Sequence, residues 1–155
     1  MTERIFNWVN IVVKKDDQIL LLNRQHDDFK GWIPPGGKVE FPESFFEAAI
    51  RELKEETGLT ALNLHLKGLS GFTNPTKKER FVYYDFVCDR FSGQLKESRE
   101  GQPKWWHISE LENLEMQTDI RNRLPLYLRS GSFESITYWN EEKQCIEKNI
   151  TKTYE

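Results

Sequence analysis

Gly37 to Leu59, GKVEFPESFFEAAIRELKEETGL, is the stretch whose reading decides the fold. Pro42, Glu43 and Ser44 are helix-start residues, and Gly58, directly after the last turn, is a stop signal. Between them Phe46, Ala49, Ile50 and Leu53 recur at helical spacing and predict an apolar face packed on a sheet. Glu52, Glu55 and Glu56, related by three and four positions, are expected to project together from an adjacent face.

Three neighbouring carboxylates repel one another, and at the C-terminal end of a helix they also meet the negative end of the macrodipole. A divalent cation removes that conflict, because hard ions such as Mg²⁺ take oxygen ligands and bridge carboxylates to phosphates. The alternative is a solvated acidic face paired with Lys54 and Arg51.

Outward from the helix, Gly31 to Gly37, GWIPPGG, concentrates Gly and Pro and predicts an irregular loop. Upstream of it, Trp8 to Val13 and Gln18 to Arg24 flank the polar Lys14 to Asp17 and predict a hairpin. Downstream, Leu62, Leu64 and Leu66 alternate with polar residues, and Phe81 to Val87 and Lys104 to Ile108 read as further strands. Thr118 is a candidate cap for a helix to about Arg129, stopped by Gly131, with Pro125 forcing a kink or restart. Phe133 to Trp139 and Gln144 to Tyr154 predict a closing C-terminal hairpin. Strands mixed with two helices give an α+β class, an α/β/α layered domain with a mixed sheet.

Composition bounds the rest. A length of 155 residues fits one domain over 1–155, and 37% hydrophobic and 13% aromatic residues suffice for a core. The longest apolar runs are four residues, such as Ile19 to Leu22, far short of a membrane span or a signal peptide, so a cytoplasmic protein without membrane insertion is expected. With 22 basic residues against 25 acidic ones, the chain lacks the strongly basic face that duplex nucleic acid requires. Cys88 and Cys145 have no second Cys or His at ligand spacing, which leaves reduced, partly buried thiols and no zinc site. His26, His65 and His107 are scattered and are not read as catalytic. The aromatics of Phe81 to Phe86 and Trp105-Trp106 read as core, and Lys77, Lys78 and Arg80 as decoration of a hairpin turn.

The order Gly37, five residues, Glu43, seven residues, Arg51-Glu52-Leu53, one residue, Glu55-Glu56, one residue, Gly58-Leu59 matches every fixed position of the Nudix box, and the chain resembles a Nudix hydrolase. The preceding Trp32-Ile33-Pro34-Pro35-Gly36 and the strand order extend the resemblance over nearly the whole chain. It implies the Nudix fold and hydrolysis of a pyrophosphate linkage in a small nucleotide, with Mg²⁺ or Mn²⁺ held by the box. By position it makes Glu52, Glu55 and Glu56 metal ligands, with the Gly36 carbonyl as a backbone ligand. Arg51 and Glu43 would orient the acids, and Glu52 is the first candidate for the base that takes a proton from water.

Glu100-Gly101-Gln102-Pro103 followed by Trp105 resembles the bacterial 8-oxo-dGTP diphosphatases, where the Glu adds a metal contact; otherwise Glu100 is a loop acid beside Arg99. Arg24, at the end of the second strand, resembles a phosphate-contacting Arg of the same enzymes, with a surface role as the alternative. The C-terminal third resembles the animal oxidised purine triphosphatases. There Asp119 is a base-reading acid or, alternatively, a first-turn helix acid, with Ile120 and Gln117 in the neighbouring places.

The resemblance therefore implies a nucleoside triphosphate pyrophosphohydrolase, with 8-oxo-dGTP among its candidate substrates. Other readings are an ADP-ribose pyrophosphatase, since Pro75 lies sixteen residues past the box, a non-catalytic nucleotide-sensing module, and an RNA 5′-end pyrophosphohydrolase.

Overall fold

The computed structural model describes residues 2–25 and 30–155, so His26 lies outside the described residues. The opening hairpin forms as expected from β1 (Arg4–Lys15) and β2 (Gln18–Arg24), with Lys14 opposite Ile19 and Asp16 in a left-handed conformation at the turn. The GWIPPGG segment is more ordered than its composition implies. Gly31–Ile33 is a short strand, β3, on β2, and Gly36–Lys38 another, β4, on β1. Glycine permits the second pairing, because a Cβ at Gly36 would run into the Val9 carbonyl. Pro35, which has no N–H to donate, accepts the Ile11 N–H at 2.9 Å.

α1 (Phe45–Thr57) follows. Ser44 Oγ accepts the Glu47 N–H at 3.1 Å while the Glu47 carboxylate accepts the Ser44 N–H at 3.0 Å, a complete capping box. Gly58, at φ 85°, closes the other end through its N–H to Lys54 O. The buried stripe is not the expected one. Ala48, Ala49, Leu53, Glu56 and Thr57 face the sheet, whereas Phe46 is 46% exposed and Ile50 41%. The paired alanines let the helix sit close on that side, so Phe46 reaches the sheet only edge-on, 4.9 Å from Phe86.

β5 (Thr60–Ala61) pairs with β8 (Phe91–Ser92) outside the main sheet. The expected Leu62-to-Leu66 strand begins only at His65. Asn63 Oδ1 accepts the N–H groups of Asp89 and Arg90, which pins that stretch as a loop. β6 (His65–Asn74), β7 (Glu79–Cys88), β9 (Gln102–His107), β10 (Ser132–Asn140) and β11 (Cys145–Tyr154) complete a nine-stranded mixed sheet, ordered β11-β10-β6-β7-β1-β2-β3, with β4 on β1 and β9 on β2. β1 runs parallel to β7 over ten residue pairs, and β10 runs parallel to β6.

After the 3₁₀ turn Ile108–Asn113 comes α2 (Thr118–Leu128). Thr118 is its first helical residue rather than its cap. Gln117 holds the cap position without a side-chain bond, and the helix runs through Pro125 and ends three residues later. Strand alternation then builds two cores. Val9, Ile11, Val13, Leu20 and Phe86 pack against α1, whereas Val12, Ile19, Leu21 and Phe133 pack against Ile120, Leu124 and Tyr127 of α2. The expected α/β/α layering is therefore present. Cys88 is buried and free and Cys145 exposed and free, so only one of the two thiols fits the expected burial. No helix among the described residues is long and apolar enough to cross a membrane.

Candidate active site

The site grows from the contact between β4 and the last turns of α1. Gly36 stands opposite Asn10 and Gly37 opposite Val9 on β1. A Cβ at Gly37 would occupy the position of the Glu52 carboxylate, so glycine is what admits that side chain against the strand. The Gly36 N–H points to Glu56 Oε1 at 3.4 Å. Glu52 is 13% exposed, and Glu56, one turn on, is buried.

Burial pushes the Glu56 carboxyl up to about 10, reinforced by its hydrogen bond with Glu52 and the charges of Glu52 and Glu100, and opposed by the Gly36 N–H. A hydrogen bond between two carboxyl groups needs a proton, and Glu56 holds it at neutral pH. Glu100 reaches this neighbourhood from the turn before β9. Glu55 does not join the other two helix acids: its side chain is 60% exposed and pairs with Arg51 at 3.2 Å.

Arg51 is the hub. Its Nε and Nη2 donate to both oxygens of Glu43 at 3.0 and 2.6 Å, Nη1 to Glu52 Oε1 at 2.9 Å, and Nη2 also to the Lys38 carbonyl at 3.1 Å. One planar guanidinium thus ties the end of β4, the following loop and the acidic helix face together. The Arg51 hydrogen bond, with help from the Glu40 N–H, draws the Glu43 carboxyl down to about 2.

Among the described residues no three His, Cys, Asp or Glu side chains already form a metal-ligating cluster. The donor set still fits a hard divalent cation. Glu52 and Glu56 touch, Glu100 adds a third mutually repelling acid, and a proton does the neutralising that a cation would do better. Arg24 ends β2 opposite Gly31, and Gly101 packs on the Asn23 carbonyl and the Arg24 N–H group, so the Glu100 turn and Arg24 are neighbours along the backbone. Asp119 lies elsewhere, in the first turn of α2, 3.5 Å from Arg123.

Asn10 connects these two regions. Its Oδ1 lies against Gly36, close enough that a Cβ there would clash, and its Nδ2 donates to Asp85 at 3.3 Å. On this face of the sheet Trp8 and Tyr83 stand 6.3 Å apart and Phe6 stacks on Phe81 at 4.9 Å. Phe72, Phe81, Tyr83 and Trp139, with Lys77 and Glu141, line a cavity of about 490 Å³. The Phe81 to Phe86 aromatics are therefore split: Tyr84 and Phe86 join the α1 core, as expected, whereas Phe81 and Tyr83 line the cavity. Trp105 and Trp106 pack on opposite cores. His65 and His107 stand away from the carboxylates, His107 capping the 3₁₀ turn. Asn10 and Asp85, the polar residues at the centre of two apolar strands, escaped the sequence reading; that interruption was the available signal.

The NUDIX domain family model matches residues 6–127. The chain belongs to the Nudix hydrolase family. Family membership makes it a hydrolase of pyrophosphate linkages in small nucleotides, and Nudix hydrolases generally use divalent metal ions. Among its relatives, the uncharacterised Nudix hydrolase YvcI of Bacillus subtilis is 36% identical over 111 residues, 69% of each chain. The oxidized purine nucleoside triphosphate hydrolase of Danio rerio is 35% identical over 102 residues, 66% of this chain and 65% of its own. The fold is that of the MutT protein from Bacillus halodurans, with a TM-score of 0.79, 24% identity and coverage of 94% of this chain and 97% of that one.

Proposed function

We propose that this Nudix hydrolase cleaves a nucleoside triphosphate to the monophosphate and pyrophosphate, with oxidised purine triphosphates such as 8-oxo-dGTP among its substrates and Mg²⁺, or Mn²⁺, as its ion. The observation that carries the reading is the convergence of Glu52, Glu56 and Glu100 beside the Gly36–Gly37 strand. Glu52, Glu56 and Glu100, with Glu55 and the Gly36 carbonyl, would hold the ion, which when bound neutralises phosphate charge and acidifies water. Glu52 takes the proton of the attacking water, and Arg51 with Glu43 keeps Glu52 in place. Arg24, beside the Glu100 turn, binds a phosphate oxygen. The aromatic cavity takes the base, with Asp119, beside Arg123 on α2, as the base-reading acid.

A second reading is ADP-ribose hydrolysis, supported by the ADP-ribose pyrophosphatase of Methanocaldococcus jannaschii, 37% identical over 89 residues, 57% of this chain and 53% of its own. A phosphate-release screen with added pyrophosphatase and Mg²⁺, over 8-oxo-dGTP, ordinary nucleotides, ADP-ribose and dinucleoside polyphosphates, separates the two. Turnover of triphosphates that Glu52→Gln abolishes supports the proposal. Turnover of ADP-ribose above every triphosphate overturns it in favour of the second reading.

A further inference from the structure

Arg123 projects from α2 onto the same sheet face as the aromatic cavity. Its guanidinium lies 5.5 Å from the Tyr83 ring, one wall of that cavity, and its side chain is only 12% exposed. Five N–H donors are present on a guanidinium. Yet among the described residues the one hydrogen bond Arg123 makes is a long one, from Nη1 to Asp119 at 3.5 Å, and its Nε is buried without a partner there.

Two further buried polar atoms near Tyr83 are also without hydrogen-bond partners. They are Trp8 Nε1, on the strand paired with β7, and Asp85 Oδ2, two residues along from Tyr83 on the same face. Arg123 Nε and Trp8 Nε1 are donors; buried donors left unpaired are costly, and both side chains stand beside Tyr83, a wall of the cavity, which marks a place where a ligand supplies the missing acceptor. The cavity walls add that the ligand is flat, since Phe72, Phe81, Tyr83 and Trp139 offer ring faces.

We propose that Arg123 is a specificity residue of the substrate pocket, donating to a carbonyl oxygen on the substrate's base, so that the chain selects keto-bearing bases over adenine. This rests on the reading of the cavity as the base site. Asp119, four residues earlier on the same helix face, stands beside Arg123 as an acceptor for a neighbouring ring N–H. A hypoxanthine or guanine ring presents that carbonyl and N–H side by side, whereas adenine presents an amino group and a bare ring nitrogen. Ile120 is buried against the sheet and takes no part, so the polar reader comes from the next turn of α2.

Inosine and adenosine nucleotides differ only in this edge and provide the test. The wild-type chain should favour ITP over ATP by at least about tenfold in kcat/KM, expressed in KM, because a site built to donate to a carbonyl rejects an analogue lacking it. Arg123→Met, of similar reach without donors, should reduce that ratio to within about threefold. Preference retained in Arg123→Met, or a wild-type preference for ATP, overturns the proposal. Should Arg123→Met fail to fold, Asp85→Asn with Arg123→Met removes the buried guanidinium and the buried carboxyl group together and is read in the same way. Thermal shifts with IMP and AMP need no turnover. A larger shift with IMP that the Arg123 variant loses upholds the pocket assignment even if neither triphosphate is hydrolysed, in which case the hydrolase proposal fails alone. Equal shifts in the wild-type chain overturn it.

Discussion

Arg51 holds Glu43 by both carboxylate oxygens, across eight residues of sequence and the turn into α1. The Glu43 carboxyl is drawn from 4.5 to about 2 by that clasp, so it is ionised in the folded chain at pH values where the unfolded chain is already protonated. A depressed folded value contributes stability that is complete above about pH 4.5 and lost as the pH falls through about 2. Glu43→Gln should therefore be less stable than the wild type in urea at pH 7, with the difference shrinking between pH 4.5 and 2. A difference that stays constant over that range would contradict the assignment.

Gly37 is the second local test. Gly37→Ala places a methyl group where the Glu52 carboxylate now lies. Displacing that side chain by about 1 Å should cost roughly a hundredfold in kcat. Circular dichroism should remain that of the wild type, since the clash is with the end of a flexible side chain; loss of folded signal would show that Gly37 serves the strand instead.

Glu56 and Glu55 differ in burial and should differ in consequence. Glu56 is already protonated against Glu52, so Glu56→Gln should leave metal-free thermal stability within about 1 kcal/mol while abolishing the rise in Tm that Mg²⁺ or Mn²⁺ produces in the wild type. Glu55→Gln, at an exposed position, should change metal-free stability by no more than about 0.5 kcal/mol and weaken the metal response without removing it. An unchanged Mg²⁺ response in Glu56→Gln would take that residue out of the ion's site.

Tyr127 donates its hydroxyl to Asp85, and both groups are fully enclosed between α2 and the sheet. Tyr127→Phe removes the donor and leaves a buried carboxyl under-satisfied, at a cost of about 1–3 kcal/mol in chemical denaturation. Asp85→Asn/Tyr127→Phe should recover part of that loss, because a neutral amide costs less to leave under-satisfied in the core than a carboxyl group. No recovery would mean that the hydroxyl acts through packing alone.

What could be read from the sequence was local. Ser44 and Gly58 fix the ends of α1 because capping is decided within four residues, and the two hairpins follow from short polar turns between apolar runs. Side-chain direction was less legible. Consecutive residues on a helix point about 100° apart, so Glu55 faces solvent while Glu56 faces the sheet, although spacing alone grouped them with Glu52. Which residues of α1 touch the sheet depended on Ala48 and Ala49 admitting close approach, which periodicity does not encode. Asn10, Asp85 and Arg123 were invisible for a stronger reason. Their meeting depends on the register of β1 on β7 and the seat of α2 above them, relations between segments far apart in the chain.

The most direct test of the account is product analysis of the reaction with Mg²⁺. Chromatography of a nucleoside triphosphate incubated with the wild-type chain and with Glu56→Gln should show monophosphate and pyrophosphate in equal amounts from the first and neither from the second. Diphosphate with inorganic phosphate as the products, or equal turnover by Glu56→Gln, would contradict it.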